Sequence, residues 1–159
     1  MAGGSTTESR IVQILNTYYI ENEIDAYSHR LKQGGYAPQH LDVLSLSANP
    51  RYYLGIECKS ALNKDINGRP FTILYFSRYF TTAADGTSQV ARTTEYLTKC
   101  GLTGYMAFEL RGGRGSKNHI YFVPFEVVDE CYTKGRSGLT LEEIVEYPDI
   151  LDVGVEGVL

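Results

Sequence analysis

Three residues near the middle of the chain have types and spacing that suit phosphodiester chemistry. Asp42 precedes an apolar run, and Glu57 and Lys59 lie two residues apart in the segment Gly-Ile-Glu-Cys-Lys-Ser. Two carboxylates offer the oxygen ligands that Mg²⁺ prefers. A cation held there would polarise a phosphoryl oxygen and supply hydroxide, while a lysine beside it orients the water or neutralises charge in the transition state. This set indicates metal-dependent hydrolysis.

A β-hairpin would bring the two acids together. Residues 40–47 and 52–59 read as short apolar strands joined by a turn that contains an Asn-Pro pair. With the turn centred on that pair, Asp42 faces Glu57, and directly opposed residues have Cβ atoms about 4.5–5.5 Å apart. Strand alternation puts Lys59 on the same face as Glu57. It turns three other side chains toward a core: Leu54, Ile56 and Cys58. Two close carboxylates in an apolar sheet repel and resist burial, which a divalent cation relieves.

The rest of the chain predicts the elements that hold this hairpin. A Ser5-x-x-Glu8 capping box opens an amphipathic helix, and Glu8 has an ordinary explanation as its capping glutamate. Further elements are expected as strands at 24–29, 103–110 and 119–123, helices at 88–100 and 125–134, and a short acidic helix after a second box, Thr140-x-x-Glu143. Residues 71–76 fit a strand or a packed loop. The order predicts a small α/β domain around a mixed sheet.

Composition excludes several classes of protein. The 159 residues are 43% hydrophobic and 21% charged, as in ordinary globular domains. No apolar run is long enough to span a bilayer, and the N-terminus lacks the pattern of a secretory signal. Three widely spaced cysteines argue against a disulfide framework, so a cytoplasmic location is expected. Residues 1–125 carry 13 Lys/Arg against 10 Asp/Glu, whereas residues 126–159 carry 2 against 9. The acidic character therefore belongs to the C-terminal segment.

The pattern Asp42 followed by Glu57-Cys58-Lys59 resembles the D…E-x-K signature of the PD-(D/E)XK nucleases. Within that superfamily the length and element order are most similar to the archaeal Holliday junction resolvases. The resemblance implies a restriction-endonuclease-like core with a central mixed five-stranded β-sheet flanked by helices. It covers residues 5–125, and we expect a nuclease core over residues 1–125 with 126–159 as an acidic helical extension packed on the same domain. It also implies a Mg²⁺-dependent endonuclease, with Mn²⁺ as substitute, that acts as a homodimer on branched DNA.

The resemblance assigns roles to further residues by position. Glu8 would be a helix glutamate at the metal, beside Asp42 and Glu57, and Lys59 would be the catalytic lysine. The backbone carbonyl of Cys58 would be another metal ligand. Residues expected to contact nucleic acid are Ser28, Arg30, Lys32, Gln89, Arg111, Arg114 and Lys117.

Two alternatives stay open on the sequence alone. The same site would serve a restriction- or repair-type nuclease that cuts duplex or another branched DNA, because one fold supports many substrates. From a different class, a nuclease-like module could bind nucleic acid without cutting it. The two acids and the lysine argue against a non-catalytic module, since a protein that only binds nucleic acid has no need for opposed carboxylates.

Overall fold

One mixed sheet organises the polypeptide, and the computed structural model describes residues 6–31, 40–113 and 115–159. In chain order the elements are α1 (Thr7–Glu21), β1 (Ala26–Arg30), β2 (Val43–Ser47), β3 (Leu54–Leu62), β4 (Ile73–Tyr75), α2 (Phe76–Tyr79), α3 (Gln89–Cys100), β5 (Thr103–Arg111), β6 (His119–Pro124), α4 (Phe125–Thr133), β7 (Gly138–Thr140), α5 (Leu141–Ile144) and α6 (Ile150–Val158). The sheet order is β1-β2-β3-β5-β6. Strands β3 and β5 are parallel and the other neighbours antiparallel. The predicted α/β fold with a five-stranded mixed sheet flanked by helices is confirmed.

The two faces of β3 pack against different helices, as its alternation predicts. Leu54, Ile56 and Cys58 are buried in a core formed with α1 and α6. Residues on the opposite side of the sheet, such as Met106 and Phe108 of β5, pack in a second core with α3 and α4. Glu57 and Lys59 belong to the second side, away from α1.

Two glycines let helix α3 approach the parallel strands closely. Gly55 of β3 lies beside Gly104 of β5 in the parallel register. A Cβ atom at either position would overlap the side chain of Leu97 on α3. Because neither glycine has a side chain, Leu97 fills the space above both strands and fixes α3 against the centre of the sheet.

The helix termini confirm most of the predicted signals and correct one. Ser88 caps α3 through the amide of Ala91, and Gly101 ends that helix with φ of 68°. The capping box of Thr140 and Glu143 is present at α5. The box predicted for α1 is wrong, because Thr6 is the N-cap and accepts from the Ser9 amide. Glu8 is therefore not needed as a capping residue; Ser5 lies outside the described residues.

Three elements were not predicted in full. Strand β4 falls within the ambiguous segment 71–76 and pairs with β7 as a separate two-stranded sheet. Helix α6 follows Pro148 and packs on β6 through Ile150 and Val155. Asp149 caps α6 and accepts a 3.0 Å hydrogen bond from the Ile120 amide, which ties the C-terminal segment to the sheet edge. Among the described residues, no helix combines the length and apolar character needed to cross a membrane.

Candidate metal centre

The hairpin register is the one that the sequence predicts. Val43 pairs with Ile56, and Leu44 pairs with Gly55. Asp42 and Glu57 come next in the same register, one step beyond the last ladder pair on the β2 side. The two carboxyl groups interact by a side-chain hydrogen bond. The structure therefore brings the two predicted acids together at the end of β2.

Backbone geometry holds the Asp42 carboxylate in place. The β2 ladder ends at Val43, and the Cys58 amide of β3 donates a 2.8 Å hydrogen bond to Asp42 Oδ2. The Asp42 amide donates to the carbonyl of Ile56, and its own carbonyl accepts from Leu31. Burial raises the pKa of Asp42, and the hydrogen bond from the Cys58 amide opposes that rise. The carboxylate is positioned by backbone contacts on both sides.

Glu57 is the most deeply buried acid of the centre. Its side chain is 4% exposed, and Oε2 receives Lys59 Nζ at 3.0 Å and Gln89 Nε2 at 2.8 Å. Burial raises the pKa of Glu57 to about 7, and the charge of Asp42 adds to the rise while Lys59 opposes it. A carboxyl group in this state gains from any further positive charge. The Glu57 environment is therefore suited to a cation.

Lys59 and Gln89 are fixed from outside the hairpin. Lys59 Nζ lies 4.5 Å from the ring centroid of Phe80, so an aromatic face supports the ammonium group. Gln89 stands at the first position of α3, and its Oε1 accepts from the Thr81 amide at 3.0 Å. This second bond orients the amide so that its nitrogen points at Glu57. Gln89, predicted as a nucleic-acid contact, lies instead as a direct neighbour of a metal-site acid.

Helix α1 contributes a third acid, Glu8, from the opposite face of the sheet. Carboxylate oxygens of Glu8 and Asp42 and the thiol sulfur of Cys58 lie within 4.8 Å of one another. Burial raises the pKa of the Cys58 thiol well above its usual range, so the sulfur stays a neutral thiol. Two carboxylates are thus the charged donors of this group. The prediction that the Cys58 carbonyl binds metal is separate from the thiol position and stays a prediction.

A buried glutamate that sequence reasoning missed anchors the first turn of α1. Glu109 of β5 is 1% exposed, accepts from Thr7 Oγ1 at 2.7 Å and forms an ion pair with Arg10. Both partners flank Glu8, so the contact fixes the helix start that carries Glu8. Strand alternation puts Glu109 on the face toward α1, but its pairing with that helix joins residues about 100 positions apart and leaves no local signal.

The predicted contacts on β1 have different environments. Arg30 is exposed, and its guanidinium lies 3.8 Å from Glu8 Oε2. A positively charged side chain therefore lies at the solvent-facing side of Glu8. Ser28 is fully buried, and its hydroxyl donates to Asn16 Oδ1 and the Val12 carbonyl. Ser28 has no surface to present to DNA in this conformation. Its contacts hold β1 against α1. We therefore leave Ser28 out of the proposed DNA interface.

Two further predicted contacts, Arg111 and Lys117, lie away from the carboxylates. Arg111 is exposed at the end of β5, and Lys117 is exposed and 3.8 Å from Asp152. Lys32 and Arg114 lie outside the described residues. The site that the described residues assemble is therefore formed by Glu8, Asp42, Glu57, Cys58, Lys59 and Gln89, with Arg30 beside it.

Comparison with known proteins gives a likeness to solved structures and to nothing else that was compared. No protein-family model matches the chain, and no curated protein matches it. A similar solved structure is that of Hjc, a Holliday junction resolvase from the archaeal hyperthermophile Archaeoglobus fulgidus, at 16% sequence identity and a TM-score of 0.47. The overlap covers 89% of this chain and 98% of that one.

Proposed function

We propose that this protein is a metal-dependent DNA endonuclease that hydrolyses phosphodiester bonds. The observation that carries the proposal is the contact between the half-buried carboxyl group of Asp42 and the buried one of Glu57, with Lys59 3.0 Å from Glu57. Burying two acids side by side destabilises a sheet unless positive charge meets them. Lys59 supplies one positive charge, and a divalent cation would supply the further positive charge that the two carboxylates need.

The donor set fits a hard divalent cation. Asp42, Glu57 and Glu8 offer carboxylate oxygens, which suit Mg²⁺ or Mn²⁺. The raised pKa values of Asp42 and Glu57 support this fit, because they mark negative charge that the protein alone does not fully compensate. A bound Mg²⁺ would stabilise the phosphoryl charge and activate water. Asp42, Glu57 and Glu8 would hold it, with the Cys58 carbonyl as the further ligand that the resemblance implies.

The protein's own side chains would orient and neutralise the reacting groups. Lys59, held between Glu57 and the Phe80 ring, would orient the attacking water or meet the charge that develops on the phosphate. Gln89 keeps the Glu57 carboxylate in one orientation. Arg30 is half exposed, donates to Ser9 Oγ at 3.2 Å and lies beside Glu8, where it would contact a phosphate oxygen.

The substrate that we propose is branched DNA, cut in a resolvase-like manner by a homodimer. Symmetric cleavage of two strands needs two active sites, and a two-fold dimer would supply them. The nuclease core would comprise residues 1–125, with residues 126–159 as an acidic extension packed on it. A cytoplasmic location agrees with three free cysteines.

A cleavage panel tests the proposal. The substrates are a labelled four-way junction, its matched linear duplex and a supercoiled plasmid, each with Mg²⁺, Mn²⁺ or EDTA. We expect paired symmetric cuts in the junction, lost in EDTA and in Asp42→Asn, while the exposed control Asp25→Asn cuts normally. Cuts confined to duplex or plasmid would keep the nuclease and discard junction selectivity. Cleavage of no substrate would overturn the proposal.

A further inference from the structure

A groove of about 540 Å³ opens directly beyond Lys59, at the end of the central strands. Its floor is the last part of β3, residues 60–62, together with Arg111 at the end of β5. One wall is the loop that carries Arg69, and the other is α2 with Arg78. The Phe80 ring under Lys59 is the C-cap of α2, so the groove and the metal centre share one wall.

Three exposed arginines converge on this groove. Arg69, Arg78 and Arg111 all line it, and none of them forms an ion pair with another described residue. The one acid on the lining, Asp65, is engaged by its own turn, since its Oδ1 accepts from the Asn67 and Arg69 amides. The groove therefore carries uncompensated positive charge suited to phosphate groups.

The loop wall is a rigid hairpin turn rather than a loose segment. The Asp65 amide donates to the Arg69 carbonyl at 2.9 Å, and Gly68 donates to the Asp65 carbonyl at 2.9 Å. Lys64 and Pro70 form an antiparallel bridge at its base. These contacts fix Arg69 on the groove and present Ile66 at the tip, where it is 99% exposed.

Apolar side chains line the same groove. Tyr75 is 44% exposed, and Phe71 and Tyr79 form an edge-to-face pair on the same lining. A duplex presents phosphates and leaves few base faces free, whereas a single strand presents both phosphates and unstacked bases. Basic side chains combined with exposed aromatic and apolar surface are the features that bind single strands.

We propose that this groove binds a single DNA strand that leads away from the cleavage site. The three arginines would contact successive phosphates, and Tyr75 and Ile66 would contact unpaired bases. Resting on the proposed nuclease function, this narrows the proposed branched substrate to DNA whose branch point leaves one strand unpaired beside the scissile bond. The groove is a binding site distinct from the metal ligands, so binding can be measured without cleavage.

The test is fluorescence anisotropy in EDTA, with a labelled single strand and the duplex of the same sequence over a range of salt. Each phosphate contact contributes about 0.7 to the slope of log affinity against log salt for single strands. We expect Arg69→Ala, Arg78→Ala and Arg111→Ala each to reduce the slope by about that amount. Arg78→Lys should keep it. Lys99→Ala, an exposed cation that precedes the start of β5, is the matched control and should change the slope little.

Base contact is tested by two further variants. Tyr75→Ala and Ile66→Ser should weaken single-strand binding several-fold and leave duplex binding unchanged. Equal losses on strand and duplex would overturn the single-strand assignment. If the arginine variants bind single strands like the wild type and the protein cleaves DNA with Mg²⁺, the proposed groove binding is wrong and the proposed nuclease function stands. Slopes reduced as expected in a protein that cleaves nothing would support the groove and reject the nuclease.

Discussion

Replacing Glu57 with glutamine should remove most of the pH dependence of stability that the metal-free centre contributes. Burial raises the pKa of Glu57 from 4.5 to about 7, so the folded state binds a proton more tightly than the unfolded chain. The stability from this group is fully present below pH 4.5 and is lost as the pH rises through about 7. Glutamine keeps the shape of the side chain and cannot titrate.

The size of the effect follows from the pKa shift. One pKa unit corresponds to about 1.36 kcal/mol, so a shift from 4.5 to about 7 lowers the free energy of unfolding by roughly 2 to 3 kcal/mol between pH 5 and pH 8. Asp42, whose pKa is also raised, and the histidines remain in both proteins. The difference in pH dependence between wild type and variant therefore reports the titration of Glu57 together with its coupling to Asp42.

Urea unfolding in EDTA at pH 5 and pH 8, followed by tyrosine fluorescence, measures this difference. The stability of the wild type relative to Glu57→Gln should fall by roughly 2 to 3 kcal/mol over that range. The exposed control Glu146→Gln should follow the wild type at both values. A gap between wild type and Glu57→Gln that is the same at pH 5 and pH 8 would refute the reasoning that burial holds this carboxyl group protonated.

Three further outcomes are expected. Glu109→Ala should lower the free energy of unfolding by about 3 kcal/mol in urea titrations, because it leaves Arg10 without its buried partner; a loss below about 1 kcal/mol would contradict the anchoring role. Lys59→Met should reduce the single-turnover cleavage rate by about 10²-fold or more while its melting curve shows a folded protein; an unchanged rate would remove Lys59 from the mechanism. Ser28→Ala should cost about 1 kcal/mol of stability and leave DNA affinity unchanged; a weakened affinity in a fully folded variant would restore Ser28 to the interface.

The hairpin could be predicted from the sequence because its geometry is local. Alternation with a period of two, together with an Asn-Pro turn, fixes the register that pairs Val43 with Ile56. One pair further along lie Asp42 and Glu57. The helix signals at Ser88 and Gly101 are equally local, since each depends on hydrogen bonds within one turn.

Features formed by distant residues could not be predicted in this way. Thr6 and Ser5 are both suitable N-cap residues, and the folded structure shows that Thr6 takes this role. Glu8 is then not a capping residue and is available to the metal centre. Ser28 is buried because Asn16 of α1 bonds to both its backbone and its hydroxyl. Strands of three residues, such as β4 and β7, are too short to give a periodic signal.

Helix α6 was missed for a different reason. Its sequence contains Gly154 and Gly157, which lower helix propensity, and Gly154 has φ of 72° at a kink. The helix is stabilised by tertiary contacts of Ile150 and Val155 with the core rather than by its own sequence.

The arginine groove could not be predicted either, because it joins three segments that are separate in the chain.

The most direct test of the central claim is the rate of DNA cleavage as a function of Mn²⁺ concentration, in wild type and Asp42→Asn. The account predicts no cleavage without metal, a saturable rise in the wild-type rate, and a variant whose curve shifts to higher Mn²⁺ or stays flat. A wild type that cleaves equally in EDTA, or an Asp42→Asn curve that overlays the wild type, would contradict a cation held by these carboxylates.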